Sequence, residues 1–268
     1  MTAKLWELSE AADPTPFHQL LGLLDKREKL HRVYTQNIDS IEEKAGLTYG
    51  IPNDCPPTAV FPDTVPRCVP LHGTLKRVRC QTCQSVFPLR NHLTTLTNGA
   101  RPPCPECAAQ EERRREAGKR PHGIGWLRPT IVLYNEHHVY GEMIANLVER
   151  DCKEWSGQTS SSRVDFLLVA GTSLKIPGIK SLIRELAGAV RLGQHMSAIS
   201  NTKESSQREH RVVRTAYLNF DFCGSARDWE GIFDVWISGD VQTVAQQILR
   251  RLLGTDRFAG GTVETAIQ

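Results

Sequence analysis

The sequence has 268 residues and a formal net charge of +3, with 40% hydrophobic and 24% charged residues. This is the ordinary balance of a globular protein that is long enough to bury a core, and the small charge points to no particular partner. No apolar run reaches the ~18 residues of a membrane span, and the first residues lack the pattern of a signal peptide. We therefore expect a reducing intracellular setting, in which the 8 cysteines indicate metal binding or chemistry rather than disulfides.

The first half of the chain predicts short elements separated by loops. Residues 16–30 carry apolar side chains at helical spacing, and 31–39 predict a short strand that runs into a loop. Residues 50–70 are rich in proline and predict a loop. The charge run over 109–120 predicts a solvent-exposed helix or loop in preference to a nucleic-acid patch.

A short helix is predicted from the stretch "SIEEKAGL", which follows the first strand. Ser40 is followed three residues later by Glu43, and this spacing predicts a capping box in which the serine side chain caps the helix. Gly46 favours the end of the helix, because glycine readily adopts the left-handed conformation found there.

The second half of the chain alternates strands with helices. Strands are predicted at 130–134, 164–173, 214–220 and 233–240, and helices at 139–152, 178–191 and 241–253. The polar stretch at 195–210 predicts an exposed insertion. This alternation favours an α/β fold with a mostly parallel sheet, in which the cysteine-rich segment forms a small inserted module.

Four cysteines have the spacing of a zinc ribbon. Cys80 and Cys83 form one C-x2-C pair, and Cys104 and Cys107 form a second pair. Two such turns close a tetrahedron of thiolates around one ion and leave no position open for water or substrate, so a structural zinc ion is predicted. The alternatives are four buried free cysteines or a redox dithiol; the dithiol is disfavoured because neither pair opens a helix after a strand.

Polar residues follow four predicted strands at their carboxyl ends. They occur in "TQNID" at 35–39, in "AGTSL" at 170–174, at Asn219 in "YLNF", and in "GD" at 239–240. Each alone could be a helix cap or a turn. Four in succession predict a nucleotide-like ligand across the sheet edge, since open α/β sheets bind ligands outside the carboxyl ends of their strands.

His72, in the stretch "LHG", precedes the first cysteine pair by eight residues. A zinc ion with four thiolates does not need it as a ligand. The histidine is then either a core residue or a catalytic base, and its neighbours in the sequence leave both interpretations open.

Taken together, these motifs resemble those of the sirtuins, the NAD-dependent protein-lysine deacylases. The resemblance rests on "YTQNIDSIEEKAG", "LHG", the paired C-x2-C, "LRPTIVLYNE", "VAGTSLKIP", "YLNF" and "FDVWISGD" in this order, and it runs from about residue 15 to residue 253. Among sirtuins, the fungal nuclear enzymes that act on histones are the most similar. The resemblance implies a Rossmann-like domain and a small zinc module that binds one structural ion.

The resemblance also implies a reaction in which the acyl group of a lysine passes to the ADP-ribose part of NAD as nicotinamide leaves. His72 takes the position of the general base of the family, for which the pKa of imidazole is suited. Gln36, Asn37 and Asp39 resemble the residues that position the nicotinamide and its ribose, and Asn37 is grouped with His72 as catalytic.

Further binding positions are carried over from the same motifs. For the cofactor they are Gly171, Thr172 and Ser173 at ribose and phosphate, Asn219 (preferred to Asn201) at the adenosine ribose, and Asp240 and Val241 at adenine. For the acyl-lysine channel they are Val132 and Tyr134, with Asn135 beside them at a position where the family usually has glycine.

The opening segment of the family, a strand that leads into a Gly-Ala-Gly-Ile-Ser turn, has no counterpart here. We therefore expect a Rossmann-like sheet that lacks its first strand, in a fragment of a longer active enzyme. The expected domains are a Rossmann-like NAD-binding domain over 1–67 and 126–254, a zinc-binding module over 68–125, and a tail over 255–268.

The function expected from the resemblance is NAD-dependent deacetylation of a protein lysine, with O-acetyl-ADP-ribose as the acetylated product. Acetylated histone is the expected partner, the nucleus is the expected location, and neither a membrane nor a specific nucleic-acid sequence is expected to bind. Two alternatives stay open: a truncated remnant that binds partners through its zinc module, and a mono-ADP-ribosyltransferase that uses the same cofactor.

Overall fold

A computed structural model of the chain describes residues 1–51, 65–133, 136–156, 164–200 and 212–254. The chain divides into two compact units. Unit 1 consists of Met1–Pro14 and Leu21–Met143, and unit 2 consists of Thr15–Leu20 and Ile144–Gln268. The described part of the chain holds no helix with the length and apolarity that a bilayer crossing requires.

Helices and strands alternate over most of the chain. The helices are α1 (Thr2–Ala11), α2 (Pro16–Lys26), α3 (Ile41–Lys44), α4 (Leu93–Thr97), α5 (Pro105–Glu116), α6 (Gly141–Trp155), α7 (Pro177–Ser200) and α8 (Val241–Leu253). The strands are β1 (Val33–Thr35), β2 (Cys68–Pro70), β3 (Gly73–Cys80), β4 (Val86–Pro88), β5 (Leu127–Ile131), β6 (Leu167–Ala170), β7 (Thr215–Asn219) and β8 (Val235–Ser238).

Unit 1 contains a parallel pair of strands, β1 and β2, and an antiparallel ribbon in the order β4-β3-β5. In the parallel pair, Tyr34 lies opposite Val69, and Val69 is fully buried. The ribbon packs around a small core that includes Val78, Leu89 and Leu127 together with three of the paired cysteines.

Helix α1 is tied to unit 1 by Lys44, whose Nζ donates to the carbonyl oxygens of Ser9, Glu10 and Ala12 at 2.8, 2.7 and 3.1 Å. The last carbonyls of a helix have no partners within the helix and carry the negative end of its dipole, so a lysine there satisfies both. Trp6 of the same helix packs against the core of the ribbon. Helix α1 was not predicted from the sequence.

Unit 2 contains a three-stranded parallel sheet in the order β6-β7-β8. The central strand β7 is buried over Thr215–Leu218, as expected for a parallel strand that is covered on both faces. Helix α8 follows β8 directly; the carboxylate of Asp240 accepts from the backbone N–H of Thr243 at 2.8 Å, and Gly254 ends the helix with a φ of +71°.

The predicted α/β class with parallel strands is confirmed, and most elements lie near their predicted positions. In the described residues the parallel strands form two sheets, one of β1 and β2 and one of β6, β7 and β8. The predicted loop at 50–70 was wrong at its end, where β2 pairs with β1. Helix α7 continues to Ser200, into the stretch predicted as an exposed insertion, and residues 201–211 lie outside the described part.

The predicted capping box at Ser40 was also wrong. Ser40 has a left-handed backbone with a φ of 59°, which turns its hydroxyl away from the helix and toward Thr74 Oγ1, 3.0 Å away. Asp39 caps α3 instead, because its Oδ1 accepts from the backbone N–H of Ile41 at 3.1 Å. Gly46 follows the helix with a φ of +98°, as predicted for its end.

Gly73 allows β3 and β5 to approach each other closely. Its φ is +79°, and an added Cβ would lie 1.9 Å from the carbonyl oxygen of Thr130. We expect Gly73→Ala to lower the free energy of unfolding by more than about 2 kcal/mol, because backbone rather than a flexible side chain must move. Urea unfolding measures the loss. The matched control is Gly99→Ala, which has a φ of +74° but nothing within 4 Å of the added Cβ, and should lose about 1 kcal/mol; equal losses would contradict the steric explanation.

Asp234 fastens the start of β7 to helix α7 in unit 2. Its carboxylate accepts from the N–H groups of Arg214 and Thr215 at 2.9 and 3.0 Å, and Arg191 Nη2 lies 3.1 Å away. Burial opposes ionisation, but the backbone donors and Arg191 outweigh it and lower the pKa of Asp234.

We expect this carboxylate to make stability depend on pH. The pKa of Asp234 is lower in the folded state, so its contribution is complete above the unfolded value of about 4 and is lost as the pH falls through the folded value. Asp234→Asn should therefore be less stable than wild type at pH 7, and the difference should shrink toward pH 2 in urea titrations. Asp228→Asn, at an exposed position, should match wild type at both pH values; a pH-independent deficit in Asp234→Asn would contradict the assignment.

Candidate functional site

His72 lies between the end of β2 and the start of β3 and is half-buried. Its Nδ1 is 3.0 Å from the carbonyl oxygen of Gln36. A carbonyl oxygen can only accept, so Nδ1 carries the hydrogen in this contact. In the neutral ring Nε2 is then an unprotonated acceptor, which is the state that a general base requires.

The residues after β1 form a tight polar turn next to His72. The backbone N–H of Asn37 donates to Thr35 Oγ1 at 3.2 Å, and the backbone N–H of Leu71 donates to the Thr35 carbonyl at 2.8 Å. Asn37 is exposed, whereas Gln36 and Asp39 are half-buried. The structure therefore brings Gln36 and His72 together and keeps the amide side chain of Asn37 accessible.

Asp39 has a structural use in addition to its predicted role. The cap that its carboxylate forms on α3 is the alternative that the sequence left open for this position. Beside it, Ser40 and Thr74 form a buried hydroxyl pair, and the backbone N–H of Leu75 donates to the carbonyl of Ile38 at 3.1 Å. The polar turn is thus fixed to β3 through these contacts with Thr74 and Leu75.

The end of β5 also reaches His72. The backbone N–H of Val132 donates to the His72 carbonyl at 3.0 Å, so this predicted wall of the acyl-lysine channel is a direct neighbour of the predicted base. Tyr134 and Asn135, the other predicted substrate contacts, lie outside the described residues.

In unit 2, the predicted cofactor residues lie at the carboxyl ends of three adjacent parallel strands. The Tyr217 hydroxyl donates to the carbonyl of Thr172 at 2.7 Å and lies 2.8 Å from Asn219 Nδ2, which donates to it. Burial raises the pKa of Tyr217 to about 12, so the hydroxyl keeps its proton at neutral pH. Tyr217 is a buried residue of β7 that was not predicted to belong to the site. Its hydroxyl links Thr172 to Asn219.

Gly171 and Val241 come close together at the same edge. Gly171 has a φ of +65°, and an added Cβ would lie 3.7 Å from Val241 Cγ2. The N–H of Gly171 donates to the Leu218 carbonyl at 3.0 Å, which fixes the turn after β6 to β7. The side chain of Asp240 caps α8. A helix cap was one of the two interpretations of this position that the sequence left open. Ser173 follows Thr172 in the same turn.

The four paired cysteines converge in unit 1. Their sulfur atoms all lie within 4.8 Å of one another. The Cys80–Cys107 and Cys83–Cys104 sulfurs are 3.6 and 3.5 Å apart, near the edge of about 3.8 Å that a tetrahedron with Zn–S bonds of ~2.3 Å would have. The donor set and its size therefore fit one tetrahedral metal ion such as zinc.

Backbone donors surround this cluster as expected for thiolates. The N–H groups of Thr82 and Cys83 donate to Cys80 Sγ at 3.3 and 3.4 Å, and the N–H of Cys107 donates to Cys104 Sγ at 3.4 Å. Burial opposes ionisation of Cys83, but contacts with Ser85 and the neighbouring sulfurs lower the pKa of Cys83 to about 6, whereas burial raises the pKa of Cys104 to about 12. Hydrogen bonds to the charged form stabilise thiolates, which are the form that binds metal.

Comparison with known proteins gives a family match. The Sir2 family model matches residues 2–178. The chain is 35% identical over 251 residues to the NAD-dependent protein deacetylase hst4 of Emericella nidulans, covering 92% of this chain and 36% of that protein. It is 37% identical to hst4 of Schizosaccharomyces pombe, covering 92% and 51%. It is 34% identical to the NAD-dependent histone deacetylase HST4 of Saccharomyces cerevisiae, covering 75% and 52%. The chain thus spans about half or less of the length of these relatives.

Solved structures show the same fold. A mutant Sir2 homologue in complex with ADP-ribose superposes with a TM-score of 0.58 at 19% identity, covering 95% of this chain and 72% of that chain. Sir2Tm bound to a propionylated peptide superposes with a TM-score of 0.56 at 18% identity, covering 92% and 74%. The predicted Rossmann-like fold and the family resemblance are confirmed, while the roles assigned to individual site residues stay predictions.

We expect one zinc ion per chain, bound by the cysteine cluster. Cys83→Ser and Cys104→Ser should each lose the ion and destabilise the ribbon, because structural zinc sites contribute directly to folding. Elemental analysis of the purified chain gives the stoichiometry, and a chelator titration followed by circular dichroism gives the structural effect. Cys152→Ser, at a cysteine outside the cluster, is the control that should retain the ion. Full zinc retention in both ribbon variants would contradict the site.

Proposed function

Because the chain belongs to the Sir2 family, we propose that it is an NAD-dependent deacetylase of protein lysines, with acetylated histone as substrate. The observation that carries the proposal is the orientation of His72. Its Nδ1 is held by the Gln36 carbonyl, so Nε2 is the atom that accepts a proton. The ring is half-buried rather than enclosed in the core, and the exposed Asn37 lies in the polar turn beside it, which favours a catalytic role over a core position.

NAD, when bound, supplies the ADP-ribosyl acceptor for the acyl group and the nicotinamide leaving group. The donor set of the chain fits such a ligand, because hydroxyl and amide side chains follow parallel strands where nucleotides bind. We assign the nicotinamide end to Gln36, Asn37 and Asp39. The residues assigned to the adenosine and phosphate end are Gly171, Thr172, Ser173, Asn219, Asp240 and Val241.

His72 is assigned the proton transfer, with Nε2 as the accepting atom. Nδ1 donates a hydrogen bond to the carbonyl oxygen of Gln36. The dipole of this carbonyl stabilises the positive charge of the ring once Nε2 is protonated. The hydrogen bond also fixes the tautomer, which a general base depends on. Asn37 is assigned to orient the reacting groups, because its amide is exposed directly after β1.

The zinc ion is assigned a structural role. Four thiolates leave no open coordination position, so the ion binds neither water nor substrate. It instead stabilises the ribbon whose strand β5 leads to Val132, the neighbour of His72. Val132 is assigned to the wall of the acyl-lysine channel on this basis, together with Tyr134 and Asn135.

The choice of histone as substrate is supported by the relatives, since the Saccharomyces cerevisiae protein HST4 is named a histone deacetylase. A histone substrate implies a nuclear location. Two alternatives remain if the proposal fails. ADP-ribose attached to a protein would indicate mono-ADP-ribosyl transfer, and no product at all would indicate partner binding without catalysis.

We expect His72→Ala to abolish deacetylation of an acetylated histone peptide and to lower NAD-dependent nicotinamide release at least 100-fold, the usual contribution of a general base being about 10²–10⁴. His122→Ala, at an exposed histidine remote in sequence, should keep wild-type activity. Nicotinamide release is measured by chromatography, and zinc content and melting temperature confirm that both variants are folded. Wild-type rates in folded His72→Ala would contradict the assigned base.

A further inference from the structure

Unit 1 contains a cavity of about 380 Å³ that none of the assigned NAD or zinc roles explains. It lies against strands β3 and β5 of the ribbon and is closed on one side by the segment 136–140. The apolar part of its wall comes from Pro129, Ile131, Val132 and Val139. Among the described residues, the cavity shares Val132 with the proposed channel and Cys80 with the cysteine cluster, and neither His72 nor the polar turn after β1 lines it.

Two arginines face each other across the ribbon at this cavity. Arg79 of β3 lies directly opposite Arg128 of β5 in the antiparallel register, and both line the cavity. Like charges at opposite positions of a strand pair are destabilising unless anions compensate them. Two neighbouring guanidinium groups are therefore more stable when each has an anionic partner.

One of the two arginines has its partner. Arg128 forms a two-point ion pair with Glu136, at 2.9 and 2.8 Å, and Glu136 Oε2 also accepts from the backbone N–H of Leu133 at 3.1 Å. The hydrogen bond with Arg128 lowers the pKa of Glu136, so the carboxylate is ionised at neutral pH. Glu136 is thereby committed to Arg128.

Arg79 has no carboxylate partner among the described residues. Its guanidinium lies over the ring of Tyr140 at 4.7 Å from the ring centre, and its Nη2 donates to the Tyr140 hydroxyl. The Nε–H of Arg79 is buried and finds no acceptor in the described part of the chain. A buried donor without an acceptor is destabilising, and a bound acceptor would remove that cost.

His138 adds a second donor to the same wall. Its Nδ1 accepts from the backbone N–H of Tyr140 at 2.9 Å, so the hydrogen of the neutral ring is on Nε2. Arg79 and His138 thus each present a donor at this wall, and the one carboxylate among its described residues is already paired with Arg128.

We propose that this cavity binds a small monocarboxylate with an apolar body, whose carboxylate pairs with Arg79. One unpaired guanidinium matches one negative charge, and the proline, isoleucine and valine walls match an apolar body. A phosphate dianion fits less well, because its second charge would meet the carboxylate of Glu136. The proposal is independent of the deacetylase activity, since among the described residues that line the cavity only Val132 is assigned to that reaction.

The test compares phenylacetate with phenylacetamide, its neutral amide, and with inorganic phosphate, using saturation-transfer NMR for the aromatic probes and calorimetry for all three. Phenylacetate should bind the full chain, and the amide and phosphate should each bind at least tenfold more weakly. Arg79→Gln should weaken phenylacetate binding at least tenfold and leave the amide unchanged. Arg90→Gln, at an exposed arginine of the ribbon, should match wild type.

A second pair of variants guards against misfolding of Arg79→Gln, which adjoins the zinc ligand Cys80. Val139 lines the cavity and is 68% exposed, so it tolerates substitution. Val139→Glu should repel phenylacetate and weaken its binding at least tenfold, whereas Val139→Gln should not. The proposal is overturned if wild type fails to bind phenylacetate at millimolar concentration, if phosphate binds more tightly, if the amide binds equally well, or if the two Val139 variants bind alike.

Discussion

The short segment Leu71–Gly73 is the constraint on which the geometry of unit 1 depends. There the chain leaves the parallel pair β1–β2 and enters the antiparallel ribbon. Leu71 is hydrogen-bonded to β1, the His72 ring to the turn after β1, and the His72 carbonyl to the end of β5. Gly73 admits the carbonyl of Thr130 at a distance that no other residue would allow. Three segments distant in sequence are thus fixed around one imidazole.

The cysteine cluster, which we expect to bind zinc, stabilises this corner from a distance. Four cysteines fix the far end of β3 and the turn that leads into β5, and the near ends of the same two strands meet at Gly73 and Thr130. A ribbon of three short strands buries little apolar surface, so a metal ion is an effective way to hold it. Loss of the ion should thus affect the position of Val132 and His72, although neither residue binds it.

Local patterns made much of the site predictable from the sequence. The two C-x2-C turns predict the cysteine cluster because each turn is formed within four residues, and polar residues after apolar strands predict a shared polar edge because parallel strands end together. The Ser40 cap failed because a contact 34 residues away, with Thr74, draws the hydroxyl into the protein. Strand β2 was missed because its three residues lie in a proline-rich stretch and are recognisable only by their pairing with β1.

The arginine pair shows a further limit of sequence reasoning. Arg79 and Arg128 are 49 positions apart, and only the register of the ribbon, with a shift between Thr74 and Val78, places them opposite each other. Nothing in the local sequence distinguishes the arginine that has a carboxylate partner from the one that has none. Long-range register, rather than composition or periodicity, therefore decides where this chain carries an uncompensated charge.

We propose that this chain transfers an acetyl group from lysine to the ADP-ribose part of NAD. The most direct measurement follows a ¹³C-labelled acetyl group on a histone peptide by mass spectrometry, with NAD present. We expect the label to leave the peptide and appear on ADP-ribose, with one nicotinamide released for each acetyl group transferred. A label that stays on the peptide, or ADP-ribose attached to a protein instead, would contradict it.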